Sequence, residues 1–214
     1  PYVRSKKIRP IGARQLRNQI LVPVWKEEML VGLQTIFPDD TAEGERTFQK
    51  KFLSGTETKG SFAVLGTLPE KPEVIFLTEG WATGCSIFEA VGQPVIVAFS
   101  AGNLLPVAET LRAKYPDSKI CIAADNDAHY LRKLREECAS RFGIDLHVHS
   151  SRSAAQDQCF DGGRVRAWWS KKDGEACVEY EEWIGDRTRP SHRSLNNTGV
   201  VKANIAAARV NACV

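Results

Sequence analysis

Residues 73–127 read EVIFLTEGWATGCSIFEAVGQPVIVAFSAGNLLPVAETLRAKYPDSKICIAADND. Three short, continuous apolar runs stand out: VIFLT (74–78), PVIVAFS (94–100) and KICIAA (119–124). Between them lie WATGCSIFEAVG, closed by Gly92, and LLPVAETLRAKYP, stopped at Pro116. Apolar runs without alternation are strands buried on both faces, and the helical segments between them are the crossovers a parallel sheet requires. The stretch therefore predicts a parallel α/β unit. The first strand ends in Glu79-Gly80 and the third in Asp125-Asn126-Asp127. In parallel sheets ligands gather at the carboxyl ends of the strands, so both acidic elements belong to one edge. Residues i and i+2 of an extended chain face the same side, which lets Asp125 and Asp127 present two carboxylates together, with Glu79 as a third. Three carboxylates so close repel one another and call for a cation. Hard oxygen ligands with positions left open for water and phosphate suit Mg²⁺ or Mn²⁺. Gly80 removes a side chain where a phosphate or bound water must come close. The chemistry implied is phosphoryl or nucleotidyl transfer, or its hydrolytic reverse. Taken singly, a D-x-D is commonly a turn or a helix N-cap and an E-G pair occurs anywhere; the combination carries the signal.

Upstream the rhythm differs. From Ile20 to about Gly66 run ILVPVW, MLVGLQTIF, RTFQKKFL and SFAVLG, separated by polar or turn-rich gaps, which predicts an antiparallel β unit. Pro23 lies inside the first run and predicts an edge strand or a late start. Downstream, AHYLRKLREECASRFG reads as a charged amphipathic helix stopped by Gly143 and IDLHVHS as a strand. RVRAWWS, KKDG and EACVEYEEW read as a hairpin. A polar stretch, GDRTRPSHRSLNNTG, leads into VVKANIAAARVNACV, a helix running into a short strand.

The chain has 214 residues, 43% hydrophobic and 26% charged, which excludes disordered and collagen-like classes. The net charge of +3 is too small to argue for a nucleic-acid partner as an average. Six of the 29 Lys and Arg, however, lie in residues 1–18, which hold no acid, so the remaining 23 face 26 Asp and Glu. No apolar run is long enough for a membrane span and no secretory signal opens the chain, so the default expectation is a cytoplasmic protein with no membrane partner. The six cysteines include no C-x-x-C pair, against a zinc ribbon or a secreted disulfide framework. The Pro start, the single Met and the apolar NACV end suggest a piece of a longer protein.

Two strands ending in E-G and D-x-D, separated by a strand–helix unit, resemble the Toprim domain shared by primases, topoisomerases and some nucleases, across residues 73–127. ILVPVWKEEMLVGLQTIFPDD, KKFLSG and KGSFAVLG resemble the segment that precedes Toprim in primases of the DnaG-related type, more closely its plasmid and phage, TraC-like version, and PYVRSKKIRP resembles the lead-in to it. This resemblance covers roughly residues 1–127. It implies a Toprim (Rossmann-like) parallel sheet with helices on both faces, preceded by a small antiparallel β subdomain. It implies further that Glu79, Asp125 and Asp127 bind Mg²⁺ (or Mn²⁺) and are catalytic. Lys51 and Lys59, with Arg46, Lys50 and Gly80, would meet phosphates of an incoming ribonucleoside triphosphate or of a single-stranded DNA template. A helicase or zinc-binding domain elsewhere in a full-length protein is implied as partner. The expected division is 1–70 for the basic arm and β subdomain and 71–214 for Toprim. In related chains an NPG-type helix soon follows the D-x-D strand. Here the matching text, Asn197-Thr198-Gly199 through Lys202-Ala203, lies far downstream, so residues 128–195 are expected to be an insertion. The competing account makes the 128–142 helix and the 144–149 strand native Toprim elements.

Other features weigh less. His129, His147, His149 and His192 with Cys138, Cys159 and Cys177 could build a zinc site, but no two have finger-like spacing. Trp168, Trp169 and Tyr180 beside Arg164 and Arg166 could stack bases, although such a group is commonly the core of a hairpin. Ser86 and Cys85 lack a convincing partner for nucleophilic catalysis. The expected function is the catalytic core of a DNA primase from a plasmid, phage or integrated element. Its rivals are a Toprim nuclease using the same carboxylates and a non-catalytic DNA-binding or docking module.

Overall fold

The computed structural model describes residues 1–39, 47–125, 130–170, 175–183, 191–195 and 198–214. The chain divides into two units, one of residues 1–125 with 202–214, the other of residues 126–201. The first unit opens with a short helix, α1 (Tyr2–Lys6). An antiparallel sheet follows, built of β1 (Arg14–Leu16), β2 (Gln19–Lys26), β3 (Met29–Asp39) and β4 (Thr47–Phe52) in that spatial order. Next come β5 (Ala63–Leu65), β6 (Val74–Thr78), α2 (Trp81–Val91), β7 (Val95–Val97), α3 (Leu104–Lys114) and β8 (Lys119–Ala123). They make a second sheet in the order β5-β7-β6-β8, with β6 parallel to both β7 and β8.

Two expectations change here. SFAVLG does not stay with the antiparallel unit: β5 pairs antiparallel with β7 at the edge of the parallel sheet, while the Trp25–Phe62 bridge and the packing of Ala63 and Leu65 with Val22 link it back to β2. Pro23 is not on an edge strand, since β2 lies between β1 and β3. The strand is nonetheless an edge locally. The β1 pairing ends at Leu21 and the Phe62 bridge begins at Trp25, so the residue without an N–H falls in the gap.

Alternation along the buried strands feeds two cores. Ile75, Leu77, Ile96, Ile120 and Ile122 point to one face, where Leu104, Val107, Ala108 and Leu111 of α3 cover them. Val95 and Val97 point to the other, where they meet Trp81 and Cys85 of α2, Tyr2 of α1, and Val22 and Ile36 of the antiparallel sheet. Helices thus lie on both faces of a mostly parallel sheet. Gly92 ends α2 at φ 65, a left-handed position that glycine occupies without a Cβ penalty.

In the second unit α4 (Tyr130–Phe142) precedes β9 (Val148–His149), β10 (Gln158–Phe160), β11 (Gly163–Ser170), β12 (Glu175–Glu182) and β13 (Ser191–Leu195). Leu134 and Cys138 of α4 pack on Val165, Ala167 and Val178. The predicted hairpin is β11–β12, with Ala167 opposite Val178. IDLHVHS contributes only Val148 and His149 as strand, and the polar SHRSL forms β13 against β12. Among the described residues no helix is long and apolar enough to cross a membrane.

The last helix, α5 (Thr198–Val210), returns to the first unit, where Ala203, Ala206, Ala207 and Val210 join the core under α3. Beyond it the backbone runs parallel to β8: the Cys213 N–H donates to Ile120 O at 3.1 Å and the Ile122 N–H to Cys213 O at 2.7 Å. Arg112 of α3 fixes this end by donating from Nε to Val210 O at 2.9 Å and from Nη2 to Asn211 O at 3.2 Å. A cation on orphaned carbonyls is the favourable charge for a helix C-terminus.

Two thiols give the fold a pH limit. Burial pushes the Cys85 thiol up from near 9 to about 11. Burial, then the hydrogen bond from Cys213 at 2.9 Å, does the same to Cys121. Their folded values lie above the unfolded ones, so the stability they contribute is complete below about pH 9 and is lost as pH rises toward 11. The melting temperature should fall over that window, and less steeply in Cys85→Ala. A flat profile between those limits would contradict the burial argument.

Candidate active site

β6 and β8 are neighbouring parallel strands with Thr78 opposite Ala123, so Glu79 and Asp125 both leave the sheet at its carboxyl edge. Each is partly buried. The Thr83 hydroxyl, on the first turn of α2, donates to Asp125 Oδ1 at 3.3 Å and orients that carboxylate. Asp127 lies outside the described residues, and so does Arg46. Among the described residues no three His, Cys, Asp or Glu side chains converge closely enough to hold a metal ion.

Gly80 is the N-cap of α2, with φ −103 and ψ 144, an extended conformation open to any residue. A Cβ there would meet only Thr83 Oγ1, at 3.6 Å, which is ordinary contact. Neither backbone nor packing asks for glycine at this position, so its effect is to leave open space beside the carboxylates. No side chain caps α2. Its first N–H groups carry the partial positive charge of a helix N-terminus.

The basic candidates lie on the antiparallel sheet and the connection leaving it. Lys50 and Lys51 are exposed on β4, the outer strand. The Lys51 ammonium stands 5.5 Å from the centre of the Phe37 ring. Lys59 is exposed in the β4–β5 connection. Among the described residues none of the three is ion-paired with a carboxylate, unlike Lys26 with Glu57 or Lys114 with Glu28. Two contacts bring this region to the edge that carries Glu79 and Asp125. Phe52 at the end of β4 packs edge-on against Phe99 just beyond β7, with ring centres 5.5 Å apart. Asn103 links the turn after Lys59 to Ala98.

Thr83, Phe99 and Asn103 escaped the sequence reading. Phe99 sits at φ 69, a conformation uncommon for a bulky residue, and nothing in VAFSAG signals it. Asn103 occupies the N-cap position of α3, yet its side chain bonds elsewhere.

The weaker candidates separate clearly. Arg164 pairs with Glu181 and Asp157, and Arg166 and Arg152 pair with Glu179, so these cations are already matched by carboxylates. Trp168 is buried beneath Arg152, whereas Trp169 is exposed. The Tyr180 side chain lies outside the described residues. His147 and His149 stand ring against ring at 4.7 Å, His129 lies outside the described residues, and so does the side chain of His192. Ser86 donates to Ala82 O within its own helix.

The Toprim domain family matches residues 74–155, from the start of β6 past Asp125 and through β9. Two curated relatives, each a DNA primase TraC of Escherichia coli, are 37% identical over 109 residues and 36% identical over 138 residues, covering 46% and 59% of this chain. The chain spans 8% and 12% of the lengths of those proteins. No solved structure matches it.

Proposed function

From a chain that carries a Toprim domain and resembles TraC-like primases, we propose part of the catalytic core of a DNA primase, which joins ribonucleotides on a single-stranded DNA template. The observation that carries this reading is the exit of Glu79 and Asp125 side by side at the carboxyl ends of adjacent parallel strands. The donor set fits a hard divalent cation: carboxylate oxygens, with Asp127 as a third ligand two residues on from Asp125, and the space left by Gly80. Glu79, Asp125 and Asp127 would hold Mg²⁺ or Mn²⁺, which would supply charge stabilisation at the attacking 3′-oxygen and at the α-phosphate.

The remaining work falls to the chain itself. Thr83 keeps Asp125 turned into the site. The α2 N-terminus offers N–H groups to phosphate oxygens, as helix N-termini do. Lys50, Lys51 and Lys59, with Arg46 and the basic residues of 1–18, neutralise phosphates of template and nucleotide and make binding salt-dependent. A helicase or zinc-binding domain elsewhere in a longer protein belongs to the same proposal. So does an inserted second unit, supported by Cys213 pairing beside β8 after the chain has passed through residues 126–201.

Incubation with labelled single strands and Mg²⁺, with and without ribonucleotides, tests the function. Products that require both template and ribonucleotides are expected. Template shortened without ribonucleotides would favour a nuclease. No product, together with a melting temperature indifferent to Mg²⁺, would favour a non-catalytic module.

A further inference from the structure

Thr58, Lys59, Gly60 and Ser61 form a turn closed by the Ser61 N–H donating to Thr58 O at 3.2 Å, with Gly60 at φ 74. A left-handed third residue is what glycine supplies in a type II turn. Lys59 occupies the second position, at the exposed tip. One buried side chain fastens this turn. Asn103 Oδ1 accepts from the Gly60 N–H at 2.7 Å, while Asn103 Nδ2 donates to Ser61 O at 2.8 Å and to Ala98 O at 2.8 Å. Ala98 in turn donates its N–H to Thr78 O at 2.8 Å, and Thr78 is the residue before Glu79. A continuous hydrogen-bonded path therefore runs from the Lys59 turn through Asn103 and Ala98 to the strand end that carries Glu79. Asn103 is 8% exposed and caps no helix with its side chain, so this linkage is what its buried amide serves. An amide so placed uses both donors and an acceptor, and a substitute lacking any of them leaves buried backbone groups unpaired.

We propose that Asn103 is a positioning residue that holds the Lys59 turn at the carboxyl edge of the parallel sheet, where Lys59 takes a phosphate of bound substrate. The inference rests on the primase reading of Lys59 and adds to it the residue through which the lysine is aimed. The phosphate belongs either to a single strand or to a nucleoside triphosphate, and two arms of one experiment separate these.

In the first arm, affinity for an oligothymidylate is followed by fluorescence anisotropy over a wide range of KCl. Each phosphate neutralised on a single strand contributes about 0.7 to the slope of log K against log salt. Lys59→Ala should lower the slope by about that amount. Asn103→Ala should lower it equally although it removes no charge, and the double variant should fall no further. A merely structural role would weaken binding without changing the slope. In the second arm, ATP binding is measured in the same variants. A loss there shared by both single variants, with the DNA slope intact, assigns Lys59 to the triphosphate and supports the same linkage.

Gly60→Ala provides a second route if Asn103→Ala folds poorly. A Cβ at Gly60 would meet no atom within 4 Å, so only the backbone conformation of the turn is disturbed, and the same loss is expected. A loss in Lys59→Ala that neither Asn103→Ala nor Gly60→Ala reproduces, or losses that add in the double variant, would overturn the inference alone. A Lys59→Ala variant neutral in both arms would overturn the phosphate role of Lys59 and the inference with it, while leaving the carboxylates to be judged by their own variants.

Discussion

Asp125→Asn should reduce template-directed ribonucleotide incorporation by about a hundredfold or more, the scale seen when one group that stabilises transition-state charge is removed. Its fold should be unchanged. The amide is the same size as the carboxylate, and its oxygen can still accept the hydrogen bond that Thr83 now gives Asp125. What disappears is the negative charge and, with it, a strong ligand for a hard cation. Glu79→Gln should behave alike, because Glu79 leaves the neighbouring strand at the same edge. A second measurement separates loss of metal binding from loss of chemistry. A cation that binds only the native state raises the melting temperature as its concentration exceeds its dissociation constant. Mn²⁺ should therefore stabilise the parent chain and fail to stabilise either variant. Normal incorporation in both variants would remove the carboxylates from the mechanism and the primase assignment with them.

The carboxylate edge was legible because it follows from strand order alone. Continuous apolar runs fix β6 and β8, parallel pairing fixes which ends align, and the acidic residues follow directly in the chain. Elements whose stability comes from distant partners were not legible. The polar SHRSL becomes β13 by pairing with β12. PYVRSK carries no helical periodicity, and α1 is held by Tyr2 packing on Phe48 and Trp81, far along the chain. Arg164 and Arg166 suggested a basic, base-stacking face. Cross-strand pairing instead sets them opposite Glu181 and Glu179, which alternation in a single strand cannot reveal. Thr83 and Asn103 were missed for a related reason. Each makes its decisive contact with a segment about forty residues away, and the local signal of each is only that of a helix start.

Trp81→Ala should have the largest effect on stability and should act first on the basic arm. Trp81 follows Glu79-Gly80 directly and is 1% exposed. Its Nε1 donates to Ile11 O at 2.9 Å, and its ring stacks on Tyr2 with centres 6.3 Å apart. A single side chain thus anchors both ends of the segment from Tyr2 to Ile11, which contains Arg4, Lys6, Lys7 and Arg9. Truncation removes a large apolar surface, leaves a cavity and strips Ile11 O of its indole donor, leaving it the weak Cys85 S–H at 4.0 Å. Replacing a buried tryptophan by alanine costs about 3–5 kcal/mol, which in a chain of this size lowers the melting temperature by roughly 6–20 °C. Trp81→Phe keeps most of the packing and loses the hydrogen bond, so a cost nearer 1 kcal/mol is expected. Limited trypsin digestion under native conditions supplies the local readout. Released from α2, the arm in Trp81→Ala should be cut at its basic residues well below the melting temperature, while the parent resists. Single-strand affinity should then weaken with its salt slope reduced, since cations that are no longer held in place neutralise fewer phosphates. An arm as resistant in Trp81→Ala as in the parent would mean that contacts other than Trp81 hold it, and the coupling between the arm and the first turn of α2 would have to be given up.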